Sequence, residues 1–170
     1  MNQDKYVFID KLVSAMSRIT HPRYYNSERG YQGALIAELN SEIAKLEWEG
    51  AIIEQEYQKR IKEHGTKIRP DLIIHVPFDS NQHNTRGEGN FVVFELKLGS
   101  NINEQKAIAD YESLAIMCEF LSYPYAIFII IDGDETFLDS YVGPHKDKIL
   151  ALKTKLIEGT VIITREEGAL

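Results

Sequence analysis

The chain has 170 residues, 44% of them hydrophobic, and a formal net charge of −7 at pH 7. This length and apolar content favour one domain with a sizeable core, spanning 1–170. No run of eighteen apolar residues occurs, so the sequence predicts no membrane-spanning helix. The acidic balance also counts against a protein that holds DNA through a broadly basic surface.

Cysteine content and the first residues indicate the compartment. The single cysteine, Cys118, lies in an apolar helical pattern, which predicts a buried thiol rather than a disulfide or a zinc site. The first ten residues lack the basic and then apolar layout of a signal peptide. We therefore expect a cytoplasmic protein.

Two helices are predicted at the N-terminal end. Apolar residues at near-helical spacing indicate a first helix from Tyr6 to Ile19. Ser27 is a candidate N-cap for a second helix that continues to about Trp48.

Carboxylates lie on or near the apolar stripe of this second helix. Glu28 falls within the stripe, Glu42 falls near its edge, and Glu38 lies about a quarter-turn from its centre. A carboxylate that faces a core needs a metal ion or a buried cation as its partner. Glu28 is the first candidate, with Glu38 and Glu42 as alternates. The competing interpretation is that Glu28 only complements the positive end of the helix dipole.

Three strands are predicted next, over 51–57, 68–76 and 91–98, and a polar insert separates the last two. In each of these two strands, alternate residues share a face. If they pair antiparallel about residue 83, Asp71 lies opposite Glu95. Lys97 then lies one pleat further along the same face. Two carboxylates and an ammonium group are therefore expected together at one end of a two-stranded ribbon.

The remaining pattern predicts a helix over 103–122, a wholly apolar strand over 125–131, a helix over 146–157 and a short strand over 160–164. The apolar strand is expected to be central, with both of its faces covered. The 146–157 helix is predicted from inward-facing positions at Ile149, Leu150, Leu152 and Leu156.

Pro70-Asp71, followed by Glu95-Leu96-Lys97 on the next strand, resembles the motif of the PD-(D/E)XK nuclease superfamily. The resemblance implies an α/β fold with a restriction endonuclease-like core, a central mixed β-sheet flanked by helices. It would be an αβββαβ core with an extra N-terminal helix and a C-terminal αβ extension. Glu28-Arg29 resembles the pair at the start of the corresponding helix in resolvases.

The resemblance also implies a chemistry, the hydrolysis of DNA phosphodiester bonds. Asp71, Glu95, the Leu96 carbonyl and Glu28 are expected to bind Mg²⁺, for which Mn²⁺ can substitute. Lys97 is expected to hold or deprotonate the attacking water, or to stabilise charge on the phosphate, and a nearby metal ion and burial should both depress its pKa. The functions implied are DNA repair, recombination, restriction or defence against mobile elements.

Basic residues before Asp71 are the predicted DNA contacts. The stretch 59–69 has five basic side chains against one acidic residue, Glu63, and the loop after the second strand adds one more. The predicted contacts are Lys59, Arg60, Lys62, Lys67, Arg69 and Arg86. The competing interpretation is a solvated strand end and turn.

Several alternatives stay open at the level of sequence. The chain could be a non-catalytic nucleic-acid-binding or protein-interaction module that retains the fold, or an enzyme acting on another phosphoester. The sequence does not distinguish endonuclease from exonuclease action, or duplex from branched or single-stranded DNA. It also leaves open RNA in place of DNA, and a homodimer.

Overall fold

A computed structural model of the chain describes residues 2–46, 48–55 and 68–168. These residues form an α/β fold built on a six-stranded mixed sheet. The α-helices described are α1 (Asn2–Ser17), α2 (Glu28–Ile43) and α3 (Glu104–Phe120). The strands are β1 (Ile52–Gln55), β2 (Leu72–His75), β3 (Asn90–Leu98), β4 (Tyr125–Ile131), β5 (Ile149–Ile157) and β6 (Thr160–Glu167).

The strands lie side by side in chain order. β1, β2 and β3 pair antiparallel, β3, β4 and β5 pair parallel, and β6 returns antiparallel to β5. A parallel pair needs a crossover connection, and α3 provides the one between β3 and β4. Because β3 and β4 are parallel, their C-terminal ends lie at the same edge of the sheet.

Hydrophobic clusters cover both faces of the sheet. On one face, α1 and α2 pack against strand residues such as Leu72, Phe94 and Ile129. On the other face, α3 packs against Val93 and Phe128. Six of the seven residues of β4 are buried, which confirms the prediction of a central strand covered on both sides.

The predicted register of the second and third strands is confirmed. Leu72 pairs with Phe94, Ile73 with Val93 and Ile74 with Val92, each pair centred on residue 83. A bulge follows at the far end of β2, away from Asp71. The pairing therefore holds its predicted register at the end of the ribbon where the motif residues lie.

Helix α2 begins where predicted and ends early. The Ser27 hydroxyl accepts a hydrogen bond from the Gly30 N–H at 3.0 Å, as an N-cap does. The helix ends at Ile43 rather than near Trp48. The Trp48 ring instead stacks on Phe91, with ring centroids 4.5 Å apart, so the chain has already left the helix axis to pack its indole against β3.

The helix predicted over 146–157 is wrong. Lys146–Lys148 forms a short 3-10 turn, and the residues from Ile149 onward form strand β5. β5 continues into β6 through Glu158 and Gly159, whose φ angles of 48° and 80° are those of a two-residue hairpin turn. The C-terminal extension is therefore a β-hairpin, and the predicted αβ extension is wrong.

Two further sequence predictions have outcomes in the fold. Cys118 is a buried free thiol, and burial raises its pKa to about 12. Within the described ranges, no helix is both long enough and apolar enough to cross a membrane.

Candidate functional site

The site forms where β3 extends past the start of β2. Beyond Phe94, the edge of β3 no longer has a β2 partner in the ladder. The Leu96 N–H donates to Asp71 Oδ2 at 2.7 Å, and the Leu98 N–H donates to Glu28 Oε1 at 3.1 Å. Two carboxylates therefore accept hydrogen bonds from β3 where a neighbouring strand would otherwise do so.

Helix α2 fixes this arrangement through two side chains one turn apart. Glu28 is its first residue, and Gln32 is 4% exposed. Gln32 Nε2 donates to the Asp71 carbonyl oxygen at 2.8 Å. Gln32 lies one turn after Glu28 on the same side of the helix, but its hydrogen-bond partner depends on how α2 packs against β2.

Glu95 and Lys97 share one face of β3, as predicted. Lys97 Nζ donates to Glu95 Oε1, and both side chains are largely buried. The β2–β3 register, continued by one residue, places Asp71 opposite Glu95. The structure therefore brings the three motif side chains together at one end of the ribbon.

The electrostatics of these residues show an excess of negative charge. Burial raises the pKa of Glu95 to about 7, the charge of Asp71 adds to this shift, and Lys97 offsets only part of it. Burial also raises the pKa of Asp71, against the Leu96 N–H and Lys97, which lower it. The charge of Glu28 acts on the Asp71 pKa in the raising direction, so Glu28 belongs to the same electrostatic group.

Burial by itself does not suffice to depress the Lys97 pKa. Burial acts to lower it, but the charges of Glu95, Asp110 and Asp71 outweigh burial, so the pKa of Lys97 is raised above its ordinary value. Lys97 is therefore an ammonium group at neutral pH. Such a group can donate hydrogen bonds and neutralise charge, but it is a poor base.

Asp110 is a site residue that sequence reasoning missed. It lies on α3, with Oδ2 3.8 Å from Lys97 Nζ. Burial raises its pKa, and the charges of Asp71 and Glu28 act in the same direction. The available signal was its spacing, three residues after Ala107 and four before Leu114, which are both buried on the packed side of α3.

The two alternate carboxylates of α2 have cationic partners elsewhere. Glu38 Oε2 lies 2.6 Å from Arg18 Nε. Glu42 Oε1 lies 3.0 Å from Arg18 Nη1 and 2.9 Å from Lys45 Nζ. Of the three candidates, Glu28 is therefore the one that contacts the motif strands.

Most of the predicted DNA contacts lie outside the described residues, namely Lys59, Arg60, Lys62 and Lys67. Arg69 is described, two residues before Asp71, and its charge acts to lower the Asp71 pKa. Arg86 lies in the loop between β2 and β3, where its guanidinium carbon lies 5.0 Å from the centroid of the Phe78 ring.

The donor set can be compared with the needs of a divalent cation. In the part of the chain that the structure describes, no three His, Cys, Asp or Glu side chains form a group able to hold a metal ion. Mg²⁺ is commonly bound through one or two carboxylates with retained waters, and Asp71 and Glu95 are donors of that kind. The N–H and C=O of a strand residue point to the same side, so the Leu96 carbonyl faces the side on which Asp71 lies.

Comparisons with known proteins return nothing for this chain: no protein-family profile, no curated protein and no solved structure matches it. Function must therefore be inferred from the residues of the site themselves.

Proposed function

We propose that this protein is a metal-dependent nuclease of the PD-(D/E)XK type that hydrolyses DNA phosphodiester bonds. The observation that carries the proposal is the electrostatic interaction of two carboxylates just beyond the β2–β3 ladder, where burial and the charge of Asp71 raise the pKa of Glu95 to about 7. A strongly perturbed carboxylate beside a second one is typical of functional sites. A divalent cation would supply the positive charge that this pair lacks.

Each residue of the site has a separate role in the proposed reaction. Asp71, Glu95 and the Leu96 carbonyl would bind Mg²⁺ or Mn²⁺, and Glu28 would orient a water molecule that the ion retains. When bound, the cation lowers the pKa of water and neutralises charge at the phosphate. Lys97 would act as an ammonium group that orients the attacking water or stabilises the phosphate oxygens.

The order of elements supports the proposal. A helix, three antiparallel strands, a crossover helix and a parallel strand follow one another from α2 to β4, which is the αβββαβ order of the superfamily core. α1 and the β5–β6 hairpin are additions at the two ends. Fold alone does not establish activity, so the assignment depends on the motif side chains.

The substrate side of the proposal is DNA held by basic residues outside the acidic centre. Arg69 and Arg86 are the described candidates, and Lys59, Arg60, Lys62 and Lys67 complete the predicted set. We place the protein in the cytoplasm, with a homodimer and a monomer as the two states to be distinguished by size-exclusion chromatography.

A cleavage assay tests the proposal. The protein is incubated with plasmid, single-stranded and branched DNA across Mg²⁺ and Mn²⁺ titrations, beside Glu95→Gln and the matched control Glu38→Gln. We expect metal-dependent cleavage of at least one substrate, reduced at least about a hundredfold in Glu95→Gln and retained in Glu38→Gln. Full activity in Glu95→Gln would contradict the assignment.

One observation favours a non-catalytic module instead. Lys97 is already hydrogen-bonded to Glu95, as in a structural ion pair. A protein of this second kind would bind DNA with the same affinity in the presence and absence of divalent cations, and Glu95→Gln would leave that affinity unchanged. Fluorescence anisotropy with labelled DNA in Ca²⁺ and in a chelator distinguishes the two.

A further inference from the structure

Lys97 lies between two carboxylates on different elements. Glu95 is two residues away on β3 and accepts its hydrogen bond, whereas Asp110 reaches it from α3. The distance from Lys97 Nζ to Asp110 Oδ2 is 3.8 Å, which is an ion-pair separation but too long for a hydrogen bond. Asp110 is therefore a second, unfilled acceptor for the same ammonium group.

Asp110 Oδ2 is itself unsatisfied. This atom is buried and has no hydrogen-bond partner among the residues that the structure describes. A buried acceptor that receives no hydrogen bond costs free energy, so a carboxylate in this state needs an explanation. A shift of Lys97 Nζ by about 1 Å would bring the pair to the length of a charge-assisted hydrogen bond.

Cation binding at Glu95 would create the need for such a shift. Lys97 and a divalent cation would compete for the Glu95 carboxylate, and two positive charges on one carboxylate repel each other. Without a second acceptor, the ammonium group would give up its hydrogen bond in a half-buried position, which is unfavourable. The position of Asp110 is fixed by the packing of α3, because the neighbouring residues Ala107, Tyr111 and Leu114 are buried.

We propose that Asp110 is a positioning residue that accepts the Lys97 ammonium group when a divalent cation binds Glu95. This inference rests on the proposed function, and it assigns to α3 a part in the site that the two-strand motif does not contain. Lys97 then has two positions, one on Glu95 and one on Asp110. In the second position, Asp110 of α3 orients the Lys97 ammonium group, and Glu95 is free to bind the cation.

The simpler alternative is that Asp110 only adds negative charge near the cation. A double-mutant cycle separates the two explanations. The hand-over, meaning the transfer of the Lys97 ammonium group from Glu95 to Asp110, requires Lys97, whereas the charge effect does not. Isothermal titration calorimetry with Mn²⁺ alone, without DNA, is carried out on the wild type, Asp110→Asn, Lys97→Met and the double variant. Asp134→Asn, an exposed carboxylate paired with Lys155, serves as the matched control.

We expect Asp110→Asn to weaken Mn²⁺ binding about tenfold in the wild-type background and less than about twofold in the Lys97→Met background. Asp110→Glu, which keeps the acceptor, should restore most of the affinity, and Asp134→Asn should leave it unchanged. Equal reductions in both backgrounds would overturn the hand-over but leave the proposed metal site intact. If the wild type bound no Mn²⁺, both the proposed function and this inference would fail.

A spectroscopic measurement needs no Asp110 variant. In ¹⁵N spectra of the lysine side chains, the Lys97 ammonium signal is identified by its absence in Lys97→Met. On addition of Mg²⁺ we expect this signal to shift and to stay protected from solvent exchange, because Asp110 has replaced Glu95 as the acceptor. Exchange as fast as that of exposed lysines such as Lys45 would contradict the hand-over.

Discussion

Two carboxylates of this chain are buried among charged neighbours, Glu42 on α2 and Glu95 on β3, and their titration is shifted in opposite directions. The Glu42 side chain is 4% exposed, and its pKa is lowered, first by the hydrogen bond from Lys45. The Glu95 side chain is 16% exposed, and its pKa is raised to about 7 by burial and by Asp71. The more buried of the two is the one whose ionised form is favoured.

Burial alone does not decide the state of each carboxylate: the cations around Glu42 outweigh its burial, whereas burial and the charge of Asp71 outweigh Lys97 at Glu95. Glu42 forms ion pairs with three cations. Lys11 lies on α1, Arg18 directly follows α1, and Lys45 lies two residues after the end of α2. Among the residues that the structure describes, Glu95 has one cationic partner, Lys97, whose charge also acts on two other carboxylates. The described side chains therefore compensate the first cluster and leave excess negative charge in the second. A cluster of the second kind is where an external cation is expected.

The pH dependence of stability should show the largest effect of this difference. The folded-state pKa of Glu95, about 7, lies above the ordinary value of 4.5. The folded protein therefore binds more protons than the unfolded chain between these values, and stability is lost as pH rises through that window. We expect the free energy of unfolding of the wild type to fall by up to about 3 kcal/mol between pH 4.5 and about pH 8 relative to Glu95→Gln.

Chemical denaturation of both proteins across that pH range, in a chelator, measures this difference. Glu42→Gln is the matched control and should show the opposite sign. The lowered pKa of Glu42 means that its contribution is present above pH 4.5 and is lost as pH falls below it. Glu42→Gln should therefore have a lower melting temperature than the wild type at about pH 8. Parallel pH profiles for the wild type and Glu95→Gln would contradict the contrast between the two clusters.

The contribution of Glu28 should be smaller. Glu28→Gln is expected to weaken Mg²⁺ or Mn²⁺ binding by about tenfold or less, because Glu28 adds charge beside Asp71 but also accepts the Leu98 N–H. Glu38→Gln, which disrupts only the pair with Arg18, should leave the affinity unchanged. Calorimetric titration of both variants checks this, and equal affinities would remove Glu28 from the metal site.

The smallest effect concerns how an acidic protein holds DNA. Replacing Lys59, Arg60 and Lys62 by alanine should weaken DNA binding and flatten its salt dependence, by about one unit of slope for each phosphate that is no longer neutralised. Metal affinity should not change, because these residues are not cation ligands. Anisotropy across a salt series in Ca²⁺ gives the slope. An unchanged slope would direct the search to Lys153 and Lys155, although both already donate hydrogen bonds to Asp134.

The elements and the strand pairing at the centre of the site could be predicted from the sequence alone. Ser27 capped α2 as predicted, and the alternation on β2 and β3 predicted a register that the structure confirms. These features are local, since a cap needs only its own helix and a pleat has a period of two residues. Asp71 could therefore be placed opposite Glu95 before any packing was known.

Features that depend on two distant elements could not be predicted without the packed structure. The residues from Ile149 to Leu152 are buried on both faces of β5. Their sequence therefore shows no alternation of apolar and polar residues, and the apolar run was compatible with a helix. Asp110 meets Lys97 because α3 packs over that face of the sheet, and Glu42 is neutralised by cations from α1 and the residue after it. A hydrophobic period indicates which face of an element is buried, but not which charge it will meet there, because that depends on how the elements pack.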